Sequence, residues 1–216
     1  MTGCGNNYRT IDPDFPDADL IGEACRVVAN GGVVAFPAAA IYGLAADAFK
    51  PQAVAKVRKM KNRPATNPIL LLVKDRQVVN ELAADISPPA VCIMDRFWPG
   101  GVTLVFNAST GLPVHLASPD STIGIRLPSH PVAQALVLQC PRPLTGTSAN
   151  IAGQGPYTEA DRLNDVLASR PDLILDAGPL RGGVGSTVVD VTVSPPVILR
   201  EGIVPASLIF DTLAHL

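Results

Sequence analysis

Seven basic residues, Lys50, Lys56, Arg58, Lys59, Lys61, Arg63 and Lys74, lie between Asp47 and Asp75 with no acidic residue among them. The whole chain carries 17 Lys and Arg against 19 Asp and Glu. This stretch is therefore a positive block in a slightly acidic protein, and such a block attracts phosphates or nucleic acid. Its end reads Lys61-Asn62-Arg63-Pro64, then Asn67-Pro68 and the apolar run Ile69-Leu70-Leu71-Leu72-Val73. A rigid turn that presents Lys and Arg beside a buried strand suits a phosphate clamp. The same charge run also fits a solvated helix face followed by a loop.

Two further clusters could touch an anion. Gly182-Gly183-Val184-Gly185-Ser186-Thr187 would let backbone N–H groups approach a phosphate. It leads into a strand, so no helix dipole assists, and a plain flexible turn has the same composition. Thr145-Gly146-Thr147-Ser148-Ala149-Asn150 places small hydroxyls at a strand end, where they either coordinate a ligand or cap a turn. Arg126 and Arg200 each end an apolar run. A guanidinium there can read a carboxylate or phosphate by forked hydrogen bonds, or make a structural ion pair.

Other chemistries find no support. The phosphate loop pattern G-x-x-x-x-G-K-[ST] and a G-x-G-x-x-G after a strand are both missing. There is no G-x-S-x-G elbow. His115, His130 and His215 share no metal-ligand spacing and read as surface or capping residues, so no protein metal site is expected. Cys4, Cys25, Cys92 and Cys140 form no C-x-x-C pair, which suggests neither zinc nor a disulfide framework. Carboxylates are scarce near every polar cluster. The expected chemistry therefore positions anions and stabilises charge on a phosphoryl centre without a protein general base.

The elements that must hold these clusters alternate. At 216 residues and 47% hydrophobic content, one large core is expected. Residues 1–18 read as an N-terminal extension, and 19–216 as the domain. Asp19 suits the cap of a helix ended by Gly31-Gly32. Val33–Phe36 reads as a strand, and Pro51 opens a second helix. Ile69–Val73 reads as a strand buried on both faces. Helices follow across 75–97, broken at Ser87-Pro88-Pro89. Val102–Phe106 and Thr122–Arg126 read as strands. Ser129 suits the cap of a helix to Leu138. Leu144–Thr147 is a short strand. Thr158 and Asp161 imitate a capping box for a helix to Ala168. Leu173–Leu175, Thr187–Val193 and Val197–Leu199 complete the strands. This alternation predicts an α/β or α+β sandwich around a mixed sheet. Isolated cysteines, no signal peptide and no membrane-length apolar run point to a cytoplasmic protein.

In order, the clusters are Phe36-Pro37-x-x-x-Ile41-Tyr42-Gly43-Leu44, Lys61-x-Arg63-Pro64, Phe97-Trp98-Pro99-Gly100 and Gly124-Ile125-Arg126-x-Pro128. Thr147-Ser148-Ala149-Asn150, Gly185-Ser186-Thr187-Val188-Val189-Asp190 and Leu199-Arg200-Glu201-Gly202 follow. This series resembles the YrdC-like family, whose best-known members are threonylcarbamoyl-AMP synthases. The resemblance runs from about Leu20 to Val204 and fits the single-domain type.

The resemblance implies a twisted mixed sheet flanked by helices around a concave, positively charged cavity. It implies that L-threonine, bicarbonate and ATP, with Mg2+, give threonylcarbamoyl-AMP and pyrophosphate. That product would serve N6-threonylcarbamoyl modification of adenosine 37 in tRNA, with a tRNA threonylcarbamoyl-transferase complex as its recipient. It implies that Lys61 and Arg63 hold the triphosphate, with Asn67 supporting the clamp. Ser148 and Asn150 would hold the nucleotide and the reacting centre, and Ser186 and Arg200 would also contact the nucleotide. Thr122 and Arg126 would lie at the amino-acid and carbamate end, with Tyr42 as a wall. Two departures stand out: Ala38-Ala39-Ala40 replaces the family's hydroxyl and carboxylate positions, and Leu72 replaces a histidine. They leave open a paralogue that uses another amine or acid. A tRNA- or double-stranded-RNA-binding module is a third reading.

Overall fold

The computed structural model describes residues 7–64 and 67–214. In chain order the strands and α-helices are β1 (Tyr8–Thr10), α1 (Ala18–Ala29), β2 (Val34–Pro37), β3 (Tyr42–Ala45), α2 (Pro51–Met60) and β4 (Leu71–Leu72). Next come α3 (Gln77–Leu82), α4 (Pro88–Phe97), β5 (Val102–Asn107), β6 (Thr122–Arg126), α5 (Pro131–Gln139), β7 (Leu144–Thr145) and β8 (Thr147–Ser148). A 3-10 turn (Ala160–Arg162) leads into α6 (Leu163–Val166), followed by β9 (Leu173–Asp176), β10 (Thr187–Asp190), β11 (Val197–Arg200) and α7 (Ala206–Leu213).

Among the described residues the strands form two mixed sheets, ordered β1-β9-β2-β3-β8 and β11-β10-β5-β6-β4-β7. The mixed α/β arrangement expected from the sequence is present, carried by two sheets. The chain changes sheets at Gly146: β7 pairs with β4, while β8 pairs with β3. A Cβ at Gly146 would lie 2.6 Å from Leu72 Cγ and 2.8 Å from Leu70 Cδ1. Glycine allows this close crossing.

Strand alternation splits the second sheet into two faces. Val102, Leu104 and Phe106 of β5, Ile123 and Ile125 of β6, and Val189 of β10 join a buried cluster with Ile93, Met94 and Ile209 of α4 and α7. The intervening residues Thr103, Val105, Thr122, Gly124, Arg126 and Val188 face the other way, into a cavity. The two-sided burial expected for Ile69–Val73 follows the same rule. Leu71 and Val73 enter that cluster, while Leu72 packs with Phe36 and Leu144 on the opposite side.

Several local expectations shift. Asp17 caps α1, its carboxylate accepting from the N–H groups of Asp19 and Leu20 at 2.8 and 3.1 Å. The ring of His130 takes the cap position expected of Ser129, its Nδ1 accepting from Val132 N–H. No capping box forms at Thr158. Its carbonyl accepts from Leu180 N–H, and Ala168 N–H donates to Met60 O, so long-range partners hold both ends of that segment. β10 stops at Asp190, whose carboxylate accepts from the N–H and hydroxyl of Thr192 and turns the chain. The lead-in before Asp19 carries β1, parallel to β9. The sequence reading missed β3 and α7.

Cys25 and Cys140 are disulfide-bonded across 115 residues. The expectation of isolated thiols is therefore corrected, and with it the argument from cysteine spacing to a reducing compartment. The bond joins α1 to the residue that ends α5. Both helices bury apolar stripes in one cluster, Ile21, Ala24 and Val28 against Val132, Leu136 and Val137. Spacing along the chain carries no signal of such a contact. Cys4 and His215 lie outside the described residues.

Candidate active site

A cavity of about 350 Å³ opens between the two sheets. The first sheet contributes the β2–β3 hairpin and β8. The second contributes β4, β5, β6, β10 and β11. Arg63, Arg126 and Arg200 line it, and among its described lining residues there is no Asp or Glu. Tyr42, Thr122, Ser148 and Ser186 line it as well. Seven of the ten residues singled out from the sequence thus share one cavity.

The register shows how the second sheet grades the site. Leu72 pairs with Arg126, Thr103 lies beside Arg126, Val188 pairs with Thr103, and Arg200 pairs with Val188. At ~4.8 Å between strands this row spans roughly 19 Å, from an apolar end to a cationic one. Its two ends therefore meet different parts of any bound molecule.

Arg126 is held by the loop after α4. Its Nε donates to Gly100 O at 2.7 Å, and Trp98 Nε1 donates to Val102 O at 2.7 Å to fix that loop. Among the described residues its terminal nitrogens have no hydrogen-bond partner, and no carboxylate pairs with it. Burial holds its pKa down at about 10, so it remains a cation at neutral pH. A desolvated cation with free donors in a cavity is a receptor for a carboxylate or phosphate.

Arg63 sits on the turn after α2. Asn62 adopts φ 48° there, a left-handed conformation that Asn tolerates and that ends the helix. Arg63 Nη2 donates to Pro68 O at 2.7 Å, while its buried Nε has no hydrogen-bond partner. Burial lowers its pKa, and the charges of Arg58 and Arg200 lower it further. Arg200 thus adds to the positive potential at Arg63. Arg200 is exposed and donates to Ser186 O at 2.8 Å.

The glycine loop meets this end. Gly182 and Gly183 have φ of 76° and 117°, where a side chain would be strained. Gly185 and Ser186 reach the cavity, and Ser186 Oγ shares a 2.8 Å hydrogen bond with Thr103 Oγ1. Gly202 packs so closely that a Cβ would collide with the Gly185 carbonyl and the Ser186 backbone. Glu201 accepts from Ala206 N–H at 2.7 Å and caps α7.

Lys61, Asn150 and Asn67 are not among the lining residues. Lys61 is 1% exposed. Its ammonium donates to Ser148 O, Asn150 O and Asn150 Oδ1. Burial, with the Arg63 charge added, brings its pKa down to about 8. Asn150 accepts from Ser148 Oγ and donates to Ile151 O and Gln154 O. The two residues thus form a buried brace that positions Ser148 from below. Asn67 is exposed, its N–H donating to Pro64 O at 3.2 Å. Tyr42 is fully buried. Its hydroxyl accepts from Ala177 N–H and donates to Gly178 O, so it faces away from a ligand.

Thr103 was missed by the sequence reading. Its signal was available: a lone threonine in the otherwise apolar run Val102–Phe106. Ala38, Ala39, Ala40, Leu70 and Leu72 form much of the remaining wall. His115 and His130 bond to a carbonyl and a helix N–H respectively. Among the described residues no group of three or more His, Cys, Asp or Glu could hold a metal ion.

The chain compares closely with known proteins. The family model described as Telomere recombination, covering Sua5, YciO and YrdC, matches residues 26–202. A Pyrococcus abyssi threonylcarbamoyl-AMP synthase is 36% identical over 84% of this chain and 54% of its own length. A putative threonylcarbamoyl-AMP synthase of Mycobacterium tuberculosis is 32% identical over 95% of this chain and 94% of its own. The chain thus spans about half of the first relative and nearly all of the second. The crystal structure of P. abyssi Sua5 complexed with L-threonine superposes with a TM-score of 0.90 at 32% identity, covering 97% of this chain and 61% of that one. With the sheet pair, the arginine-lined cavity and the ordered motifs all in place, the chain belongs to the Sua5, YciO and YrdC family.

Proposed function

We propose that this chain is a threonylcarbamoyl-AMP synthase, joining L-threonine, bicarbonate and ATP into threonylcarbamoyl-AMP and pyrophosphate. The observation that carries the reading is the cavity that gathers Arg63, Arg126 and Arg200 with Ser148 and Ser186 and no acidic side chain among its described lining residues. Three cations facing a carboxylate would normally be neutralised within the protein. Left without one, they suit a polyanionic substrate.

In this reading Arg63 and Arg200 hold the nucleotide phosphates, with Ser148 and Ser186 beside them. Arg126 pairs with the amino-acid carboxylate. Lys61 and Asn150 act through the turn that presents Ser148, and Asn67 acts through the Pro64–Pro68 turn. The amine takes up carbon from bicarbonate with loss of water. A carbamate oxygen then displaces pyrophosphate from the α-phosphorus. Placement and charge neutralisation lower the barrier, with no side-chain base required. Among its described lining residues the cavity offers no acidic ligand, so Mg2+ would be held by the nucleotide's own phosphates, and no step is assigned to it. The product feeds a tRNA-modifying transferase in the cytoplasm, with tRNA contact confined to that hand-over.

Pyrophosphate release that requires ATP, bicarbonate and threonine together is the expected result. Release without threonine dependence removes the assignment. The apolar wall of Ala38, Ala39, Ala40 and Leu72 favours a second reading, in which another amine is carbamoylated. A panel of amines in the same assay separates the two.

A further inference from the structure

We infer that the cavity recognises its amino acid by carboxylate and shape without reading the β-hydroxyl, so that valine, the isostere of threonine, serves as a comparable substrate. This rests on the synthase reading above.

The carboxylate receptor is Arg126, the lining guanidinium whose terminal nitrogens are unpartnered among the described residues. Its surroundings are apolar. Leu72 is its register partner on β4, and Leu70, two residues earlier, has its Cβ 3.5 Å from where a Cβ on Gly124 would be. Gly124 itself leaves the floor between Thr122 and Arg126 open. Val105 pairs with Gly124 from the other side. Over this floor comes the β2–β3 turn, Ala38-Ala39-Ala40-Ile41, closed by Ala38 N–H donating to Ile41 O at 3.1 Å. Ala38 and Leu70 pack against the cluster that contains Phe36 and Leu72. A side chain lying beside an Arg126-bound carboxylate therefore meets methyl and methylene groups.

Most of the cavity's hydroxyls already have protein partners, while Thr147, which also lines it, has no side-chain hydrogen bond among the described residues. Thr122 Oγ1 is bonded to Ser118 Oγ at 2.8 Å, Ser186 to Thr103, and Ser148 to Asn150. Tyr42 turns its hydroxyl to Gly178. Against the wall of Ala38, Ala39, Ala40, Leu70 and Leu72 a threonine hydroxyl finds no side-chain partner, and a valine methyl there costs none.

The magnitudes separate the alternatives. A pocket built to hydrogen-bond a hydroxyl rejects the analogue lacking it by ~10⁴- to 10⁵-fold, whereas an apolar pocket separates isosteres by at most ~10². The expected result is a kcat/KM for pyrophosphate release with valine within about tenfold of that with threonine. Each amine carries the same chemistry: carbon gained from bicarbonate, water lost, pyrophosphate displaced. A preference for threonine above ~100-fold overturns the inference. Thr122→Val is expected to leave the threonine-to-valine ratio within about threefold; a fall of tenfold or more would make Thr122 the hydroxyl reader and overturn it. The shift in melting temperature with AMP plus threonine or valine is measured in parallel. Matching shifts without any pyrophosphate release would support this inference while removing the synthase reading. A shift with threonine alone, or with neither amino acid, would overturn it.

Discussion

The two ends of one strand row in the second sheet do different work. At the β4 end, Leu72 is 4% exposed and packs with Phe36 and Leu144. At the β11 end, Arg200 is exposed and bonded only through Ser186 O among the described residues. Arg126 stands one strand in from the buried end, where burial has already lowered its pKa. A cation near solvent can exchange its water for phosphate oxygens at little cost. A cation surrounded by leucine, valine and glycine is desolvated before any ligand arrives, so an incoming anion is bound more strongly there. Identical side chains on one face thus differ in what they contribute, and the difference lies in their neighbours.

Breaking the buried end should give the largest effect. Arg126→Met removes the proposed carboxylate receptor but keeps the packing volume, and loss of a buried charged partner costs ~2–5 kcal/mol in binding. The expected fall in kcat/KM for the amino acid is about 100- to 1,000-fold, with ATP affinity little changed. The melting temperature should hold or rise, because an unpaired desolvated charge has been removed. A fall in melting temperature would show that Arg126 is chiefly structural.

The brace beneath Ser148 comes next. Lys61→Met leaves Ser148 O, Asn150 O and Asn150 Oδ1 without their buried donor. Unsatisfied buried acceptors cost ~1–3 kcal/mol each, though relaxation recovers part of this, so about 3 kcal/mol overall is expected. For a chain of this size that is roughly a 9 °C fall in melting temperature. If Lys61 instead grips phosphate directly, thermal stability will hold and ATP affinity alone will drop.

The exposed end should respond less. Arg63→Ala and Arg200→Ala are each expected to raise the KM for ATP about 10- to 30-fold, equivalent to ~1.4–2 kcal/mol. Their double mutant should lose less than the product of the two, because the charges are coupled. Full additivity would place them on separate parts of the substrate.

Much of this site was legible in the chain because motif order does not depend on geometry. Thr122-Ile-Gly-Ile-Arg126 alternates with period two, which assigns Ile123 and Ile125 to the core and Thr122, Gly124 and Arg126 to the opposite face. The Lys61-to-Pro64 turn was recognisable, but the direction of Lys61 was not. Nothing local distinguishes a lysine that reaches into a cavity from one that turns back to a strand end 87 residues away. The two-sheet architecture was hidden in Leu144–Thr147, since a four-residue strand carries no sign that Gly146 divides it. The disulfide depends on how α1 and α5 pack, which is settled by apolar stripes that many helix pairs share.

The smallest effect tests the brace by pH. Burial, with the Arg63 charge added, lowers the Lys61 pKa from 10.5 to about 8. Below pH 8 both the folded and unfolded chains carry this proton, and it contributes no slope. Between pH 8 and 10.5 the unfolded chain binds a proton that the folded chain has released, so folded stability rises with pH across that window. Lys61→Met lacks the titration. The melting-temperature gap between wild type and variant should therefore widen from pH 8 to pH 10, by roughly 6 °C. A narrowing gap would mean that the three carbonyl acceptors, and not desolvation, dominate the ammonium. Lys61 would then be a fixed cation in the floor of the site, contributing its charge to the exposed end alongside Arg63.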